Sequence, residues 1–269
     1  MYMLEQRNKI YFYYKKQKGT EEKFAALQVE VEKYGFDVVS SPQEASIIAS
    51  IGGDGEFLQA VRNTGFKQDA LYVGIKRKEE DGLYCDFELD NIQGMLNAMS
   101  REEIEVRRFP TIEVSINNQS PHLCINEATV RSSIFKSIVM DVYIDDEYFE
   151  TFRGDGLIVS TPTGSTGYNK STRGAIIDPK IRCFQVSELA SLNNNRYRTL
   201  GSSFVLNENR SLRLEVVQDG NDYPIIGLDN EAYSIQNIRI IDIQLSDKIV
   251  KTVKLKNNSF WHRVQRTFL

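Results

Sequence analysis

Histidine and cysteine are scarce in this chain. Its 269 residues hold two histidines, His122 and His262, and three cysteines, Cys85, Cys124 and Cys183. Two histidines cannot supply a metal site built on several imidazoles, so any metal here is a hard cation held by oxygen. Three widely spaced cysteines make neither a disulfide framework nor a zinc site, and they fit a reducing, cytoplasmic setting. An excess of positive charge is missing too. The net charge is -4, from 33 basic and 37 acidic residues, which gives no case for nucleic acid or an anionic membrane as partner. No apolar run approaches membrane-spanning length, and the stretch after Met1 is polar and charged. There is no internal repeat and no low-complexity linker. What remains is the composition of a soluble globular protein, long enough for one large domain or two ordinary ones.

The chain is organised around Ile47–Phe57, IIASIGGDGEF. Ser46–Ile51 reads as a buried strand. It stops at Gly52-Gly53-Asp54-Gly55, and a helix with Phe57, Leu58 and Val61 on one face follows. Glycines let backbone approach a ligand closely, and a helix N-terminus offers free N–H groups to phosphate. A carboxylate repels phosphate, so Asp54 is better suited to accept a hydrogen bond from a substrate hydroxyl. A strand-to-helix turn capped by Asp54 would need no ligand at all.

Around this stretch strands alternate with helices. Ile10–Tyr14, Phe36–Val39 and Leu71–Ile75 read as strands, and Glu21–Tyr34 and Asn91–Met99 as helices. Residues 1–100 therefore read as an α/β domain, doubly wound on a parallel-type sheet. Ligands in such sheets bind at the carboxyl ends of strands, where the glycine turn lies. The charged run Lys76–Gly82, KRKEEDG, reads as a solvated loop. From Arg101 the texture changes to short alternating strands. Ile138–Ile144 is followed by a turn at Asp145-Asp146, and Leu157–Ser160, Ser203–Leu206, Leu212–Val216, Ile225–Leu228 and Ile238–Leu245 continue the pattern. Residues 101–246 read as an all-β, sandwich-like domain. Gln185–Leu192 is the expected helical exception. Lys248–Leu255 reads as a last strand, before a helix opening at Phe260-Trp261.

Three stretches of the second part are rich in ligand-type groups. They are Asn126-Glu127, then Arg153-Gly154-Asp155-Gly156, then Thr161–Ser171, TPTGSTGYNKS. The last begins where a strand ends and packs hydroxyls, glycines and an amide into one turn, a composition suited to phosphate. Singly, each is as well explained as a solvated loop. Their combination and order are not.

In these motifs the sequence resembles the NAD kinase family. Gly52–Gly55 matches the family's GGDG, Asn126-Glu127 its NE, and Thr161–Ser171 its TPTGSTAYNKS-like stretch. Gly227-Leu228-Asp229 stands where the family carries a further aspartate. The likeness runs on through Glu188–Asn194 to the final Phe-Trp helix, and is greatest to the shorter enzymes of Firmicute-type bacteria, in particular a second paralogue. GGDG alone is shared with diacylglycerol and sphingosine kinases; a lipid kinase and a non-catalytic NAD(H) sensor are the rival readings. The absence of a membrane-binding patch weighs against the first, and the presence of Asp54 against the second.

The resemblance implies an N-terminal α/β domain, a C-terminal β-sandwich, and a final segment, 247–269, returning to the first domain. It implies transfer of the γ-phosphoryl of ATP, or of polyphosphate, to the 2′-hydroxyl of the NAD adenosine ribose. A divalent cation, usually magnesium, is required, and members are homodimers or homotetramers. By matched position, Asp54 is the catalytic base and Gly52, Gly53 and Gly55 face phosphate. Asn126 and Glu127 hold the adenosine. Thr166, Gly167, Tyr168 and Ser171 belong to the adenine and ribose pocket, and Thr163, Asn169 and Lys170 to the wider nucleotide-binding set. Arg153, Asp155 and Ala190 meet the nicotinamide end, across a subunit boundary, and Asp229 joins the nucleotide-binding set. No residue identifies itself as a metal ligand. The chain departs from the pattern at Glu56, where Thr is usual, at Lys76–Gly82, and mildly at Gly167. Glu56 would either repel donor phosphate or help to hold the cation.

Overall fold

The computed structural model describes residues 8–15, 20–77, 82–101, 103–132, 136–217, 224–234 and 237–269. In chain order the elements are β1 (Lys9–Tyr14), α1 (Thr20–Lys33), β2 (Asp37–Val38), β3 (Ile47–Ile51), α2 (Asp54–Asn63), β4 (Leu71–Lys76), β5 (Cys85–Glu88), α3 (Ile92–Ser100) and β6 (Ile104–Ile116). There follow β7 (His122–Cys124), β8 (Glu127–Ser132), β9 (Ile138–Ile144), β10 (Glu147–Gly154), β11 (Gly156–Ser160), α4 (Tyr168–Ser171) and β12 (Cys183–Leu189). The chain ends with β13 (Phe204–Asn207), β14 (Ser211–Val216), β15 (Pro224–Leu228), β16 (Glu231–Ser234), β17 (Ile240–Leu255) and α5 (Phe260–Phe268). It divides into two compact units, Met1–Arg108 with Val250–Leu269, and Phe109–Ile249.

The first unit is α/β. Its strands run in the order β2-β1-β3-β4, all parallel, and β4 also pairs in parallel with β5 and, through Tyr72 and Thr252, with β17. Every residue of β3 is buried, as is Leu71–Ile75 of β4. That is why both read as nearly continuous apolar runs: a parallel sheet covered on both faces leaves little place for polar side chains, and Ser50 is the one small exception in β3. Leu27 and Val31 of α1 and Met95, Leu96 and Met99 of α3 pack into the same core. The apolar i, i+3, i+4 spacing of these helices reflects that contact. Of the charged run Lys76–Gly82, positions 78–81 lie outside the described residues.

The second unit is an antiparallel β-sandwich. One layer has the order β13-β12-β11-β8-β15-β16; the other contains β10-β9-β14-β17 together with the β6–β7 hairpin. Alternate residues of both layers meet in a single core that includes Ile112, Val130, Val142, Phe152, Val159, Phe184, Leu214 and Ile241. Asp145 and Asp146, at φ 51° and 63°, make the left-handed two-residue turn between β9 and β10.

Two sequence expectations are corrected. Gln185–Leu192 is no helix: Cys183–Leu189 is strand β12, paired with β11 and β13. Its core-facing residues are Phe184 and Val186, but the alternate positions Gln185 and Ser187 are buried as well, bonded to the loop after α4 and to Asn169. The polar residues that broke the strand pattern are thus buried hydrogen-bonding positions, and sheet pairing overrides local preference. Likewise Ile238–Leu245 and Lys248–Leu255 are not two separate strands. They share the continuous 16-residue strand β17, which carries the chain back into the first unit.

Candidate functional site

In the first unit the GGDG turn joins β3 to α2. Gly52 has φ 142°, and a Cβ there would lie 2.6 Å from Glu56 Cγ, so backbone angle and space both demand glycine. Gly53 is the N-cap of α2, and Asp54 is the first helical residue rather than the cap. The Gly53 N–H is already engaged: it donates to Glu56 Oε2 at 3.2 Å, the half of a capping box that a glycine N-cap can make. Lys15 Nζ sits 3.3 Å from the other Glu56 oxygen. At Gly55 a Cβ would meet nothing.

Asp54 is pinned from across the unit. Its carboxylate accepts the backbone N–H groups of Leu83 at 2.8 Å and Tyr84 at 3.0 Å. Gly82 makes this approach possible, since a Cβ there would come within 2.3 Å of Asp54 Oδ1. The Phe57 ring stacks on Tyr84 at 4.8 Å, and the Cys85 thiol donates to the Gly52 carbonyl. Burial pushes the Asp54 carboxyl above its ordinary pKa, against the pull of the two N–H groups and of the Arg263 charge. The result is an aimed carboxylate with a raised proton affinity, at the carboxyl end of a parallel strand.

In the second unit Asn126, Glu127, Asp229 and Thr161–Ser171 come together where β8 and β11 pair at Glu127 and Ser160. Asp229, at φ 52°, receives the backbone N–H of Ile125 at 3.1 Å, of Asn126 at 2.7 Å and of Glu127 at 3.3 Å. Its own N–H donates to the Glu127 carbonyl at 2.9 Å. From the other side Thr161 donates its N–H to the Asn126 carbonyl and its hydroxyl to the Ile125 carbonyl. Gly164 lies against the same turn, where a Cβ would fall 2.0 Å from the Asn126 oxygen. The NE turn is therefore clasped on both sides through its own backbone groups.

This clasp leaves polar atoms facing inward. Glu127 is only 8% exposed, and its Oε2 and the Thr163 hydroxyl are buried with no hydrogen-bond partner among the described residues. Burial, helped by the Asp229 charge, raises the Glu127 pKa to about 8. Buried groups of this kind are costly unless something completes them, so they mark the spot where a ligand with hydroxyls or N–H groups fits. Thr166 bonds back to the Thr163 carbonyl, and Gly167 lies beside Glu127 Oε2. Tyr168 is half-buried, with the Arg131 guanidinium 5.9 Å from its ring centre. Asn169 is spent inside the fold: its amide donates to the Ser165 and Ala175 carbonyls and accepts the Ser187 hydroxyl at 2.7 Å. Lys170 and Ser171 are exposed.

Arg153, Asp155 and Ala190 form a separate group at the far end of β11, where Gly156 faces Leu189. The Asp155 N–H donates to the Leu189 carbonyl at 2.9 Å, Ala190 has φ 44°, and Arg153 donates to Ser137 and lies 4.9 Å from the Tyr197 ring centre. Five residues of strand put this group about 13 Å from the Glu127 end.

Sequence reasoning missed the Leu83-Tyr84 amides, the Arg263 contact and the bracing role of Thr161. The first two had no local signal; Thr161 at least heads the motif run.

Among the described residues, no three His, Cys, Asp or Glu side chains converge to hold a metal ion. No helix among them is long and apolar enough to cross a membrane.

The ATP-NAD kinase C-terminal domain matches residues 125–255. NAD kinase 2 of Bacillus subtilis strain 168 is 60% identical over 267 residues, 99% of this chain and 100% of that protein. NAD kinase 2 of Oceanobacillus iheyensis is 59% identical over 266 residues, with the same coverage. Among solved structures, yeast NADH kinase complexed with NADH superposes with a TM-score of 0.82 at 15% identity, covering 96% of this chain and 86% of that one. An Archaeoglobus fulgidus NAD kinase in complex with ATP gives 0.73 at 23% identity, covering 97% of each chain. At such identities these two likenesses speak for the fold alone.

Proposed function

This chain belongs to the NAD kinase family, and we propose that it phosphorylates NAD at the 2′-hydroxyl of the adenosine ribose, with ATP or polyphosphate as donor. The observation that carries the reading is the geometry of Asp54, a half-buried residue whose carboxylate is held by two backbone N–H groups in the first turn of a helix that follows a glycine turn.

In the reaction the ribose O2′ forms a bond to Pγ, the bond from Pγ to the bridging oxygen breaks, and ADP leaves. The 2′-hydroxyl proton passes to Asp54. Phosphoryl transfer has a loose transition state, so most of the catalysis is alignment and charge stabilisation, with the base needed late. A raised proton affinity brings Asp54 nearer to the ideal for a base at neutral pH. Of the glycine amides expected to face phosphate, Gly52 donates to the Ile75 carbonyl at 2.9 Å and Gly53 to Glu56, so Gly53 reaches phosphate only if Glu56 releases its N–H. Glu127 and Asn126 hold the adenosine. Hydroxyls donating to Glu127 Oε2 complete its bonding and favour its ionised form. Thr163, Thr166, Gly167 and Tyr168 line the adenine and ribose pocket, with Asn169 and Asp229 shaping it from behind. Lys170 and Ser171 stand at its rim. Arg153, Asp155 and Ala190, a strand's length away, meet the nicotinamide end and act across a subunit boundary in a homodimer or homotetramer.

The described residues build no cage for the magnesium ion that such a reaction uses, so the ion would be carried by donor phosphates and water. A cytoplasmic location fits three cysteines that are all buried and joined in no disulfide.

The deciding experiment measures NADP formation from NAD with ATP, and separately with polyphosphate, with and without magnesium. No NADP under any of these conditions, together with tight NAD(H) binding, would overturn this reading in favour of a sensor.

A further inference from the structure

We propose that Arg263 of the C-terminal helix is a positioning residue for Asp54, acting through the Gly82–Tyr84 turn. The proposal rests on Asp54 being the base.

The turn is held on two sides. On one side its Leu83 and Tyr84 N–H groups reach the Asp54 carboxylate, and the Tyr84 ring stacks on Phe57 of the same helix. On the other side the Leu83 carbonyl receives the Arg263 guanidinium through Nη1. Leu83 thus donates to Asp54 with its N–H and accepts from Arg263 with its C=O. A peptide chain offers little slack over one residue, so a shift of the carbonyl is a shift of the N–H groups that aim the carboxylate.

Arg263 is placed for this task and for no surface role. It is 1% exposed, on a helix whose other members are mostly exposed or half-buried. Its Nη1 also lies 3.4 Å from Asp86, a fully buried carboxylate that Arg107 reaches at 3.0 Å and Asn258 bonds as well. Asp86 already has Arg107 for its charge, so a second buried guanidinium is not needed to neutralise it. Burying an arginine is costly, and this one spends Nη1 on the Leu83 carbonyl as well as on Asp86 while its Nε is buried with no partner among the described residues. The positive charge at Arg263 also favours the ionised form of Asp54. The fold therefore runs the chain back through β17 to place α5 behind the catalytic turn.

The test uses the full-length protein with Arg263→Met, Asp54→Asn and the double variant, reading kcat, the KM for NAD, and the pH profile of kcat. Arg263→Met should lower kcat by about ten- to a hundredfold, the scale of a small misplacement, while the KM for NAD stays within about twofold. Its acid limb should move to higher pH, because Asp54 loses a nearby cation. In the Asp54→Asn background the same change should cost less than about threefold, since the two residues act as one unit. Should Arg263→Met not fold, Arg263→Lys is read by kcat and by the comparison with Asp54→Asn: it keeps a cation, so its acid limb should stay, but its ammonium ends one bond short of Nη1, the nitrogen that reaches Leu83. A wild-type kcat, or an equal loss with and without Asp54, overturns the proposal. A wild-type rate in Asp54→Asn overturns the assignment of the base instead.

Discussion

Glu56 turns back on its own helix, its Oε2 3.2 Å from the Gly53 nitrogen. The residue that departs from the family's usual threonine is thus part of the turn, filling an N–H that a phosphate oxygen could otherwise take. Its second oxygen faces Lys15 at 3.3 Å, so part of its charge is already balanced.

Glu56→Thr should therefore lower the KM for ATP severalfold, with a smaller effect on that for NAD. Two like charges near this helix end repel by about 1 kcal/mol once screened, and the freed Gly53 N–H adds to the gain. Loss of the bond from the Gly53 N–H to Glu56 should cost roughly 1 kcal/mol of stability. ATP and magnesium saturation curves, beside thermal melts, check both. A variant that needs more ATP or more magnesium would make Glu56 a group that helps to hold the cation.

Asp54→Asn should leave the fold and NAD affinity intact and slow turnover by about 10²–10⁴, the usual worth of a general base. An asparagine keeps an acceptor for one of the two N–H groups from Leu83 and Tyr84. Single-turnover rates and NAD titration check this. Near-wild-type turnover would reduce Asp54 to a structural acceptor.

Stability without nucleotide should fall as pH rises through neutrality. The folded pKa of Glu127 is about 8, against an ordinary 4.5. Between those values the native state holds a proton that the unfolded state has lost. Stability from this group is complete below the lower pKa and declines by up to ~1.4 kcal/mol per pH unit until the upper one. Glu127→Gln, neutral at every pH, should flatten that slope. Urea midpoints from pH 5 to pH 9 for both proteins decide it, and equal slopes would refute the assignment.

Asp229→Ala should be among the more damaging changes in the second unit. It removes the acceptor of three backbone N–H groups at Ile125, Asn126 and Glu127. Stranding them should cost about 3 kcal/mol and raise the KM for NAD more than it lowers kcat. Removing the same charge should also bring Glu127 down toward its ordinary pKa. Denaturant unfolding and NAD kinetics read the two effects separately.

Much of this was legible in the chain because it is local. β3 and β4 announce themselves as runs of β-branched and small residues, since both faces of each are covered. Gly52 must be glycine for its own φ, and the helix after it shows in Phe57, Leu58 and Val61. β12 was not legible, because Gln185 and Ser187 are buried by bonds to residues 10 and 18 positions away in Ala175 and Asn169. Nor was the difference among Tyr168, Asn169 and Lys170 in one motif: half-buried, buried and bonded within the fold, and exposed.

By itself, then, the sequence determined the strand–turn–helix unit around Asp54, the passage from α/β to all-β texture, and the motif set that marks the family. Each depends on periodicity, backbone angle or residue type within a dozen positions. Only the tertiary structure decided what holds the chemistry in place. Asp229 meets Asn126 across 103 residues, Leu83 meets Asp54 across 29, and Arg263 meets Leu83 across 180. Such contacts leave no trace in any window of sequence, because the strand order of the finished sheets, not the neighbouring residues, brings the partners together.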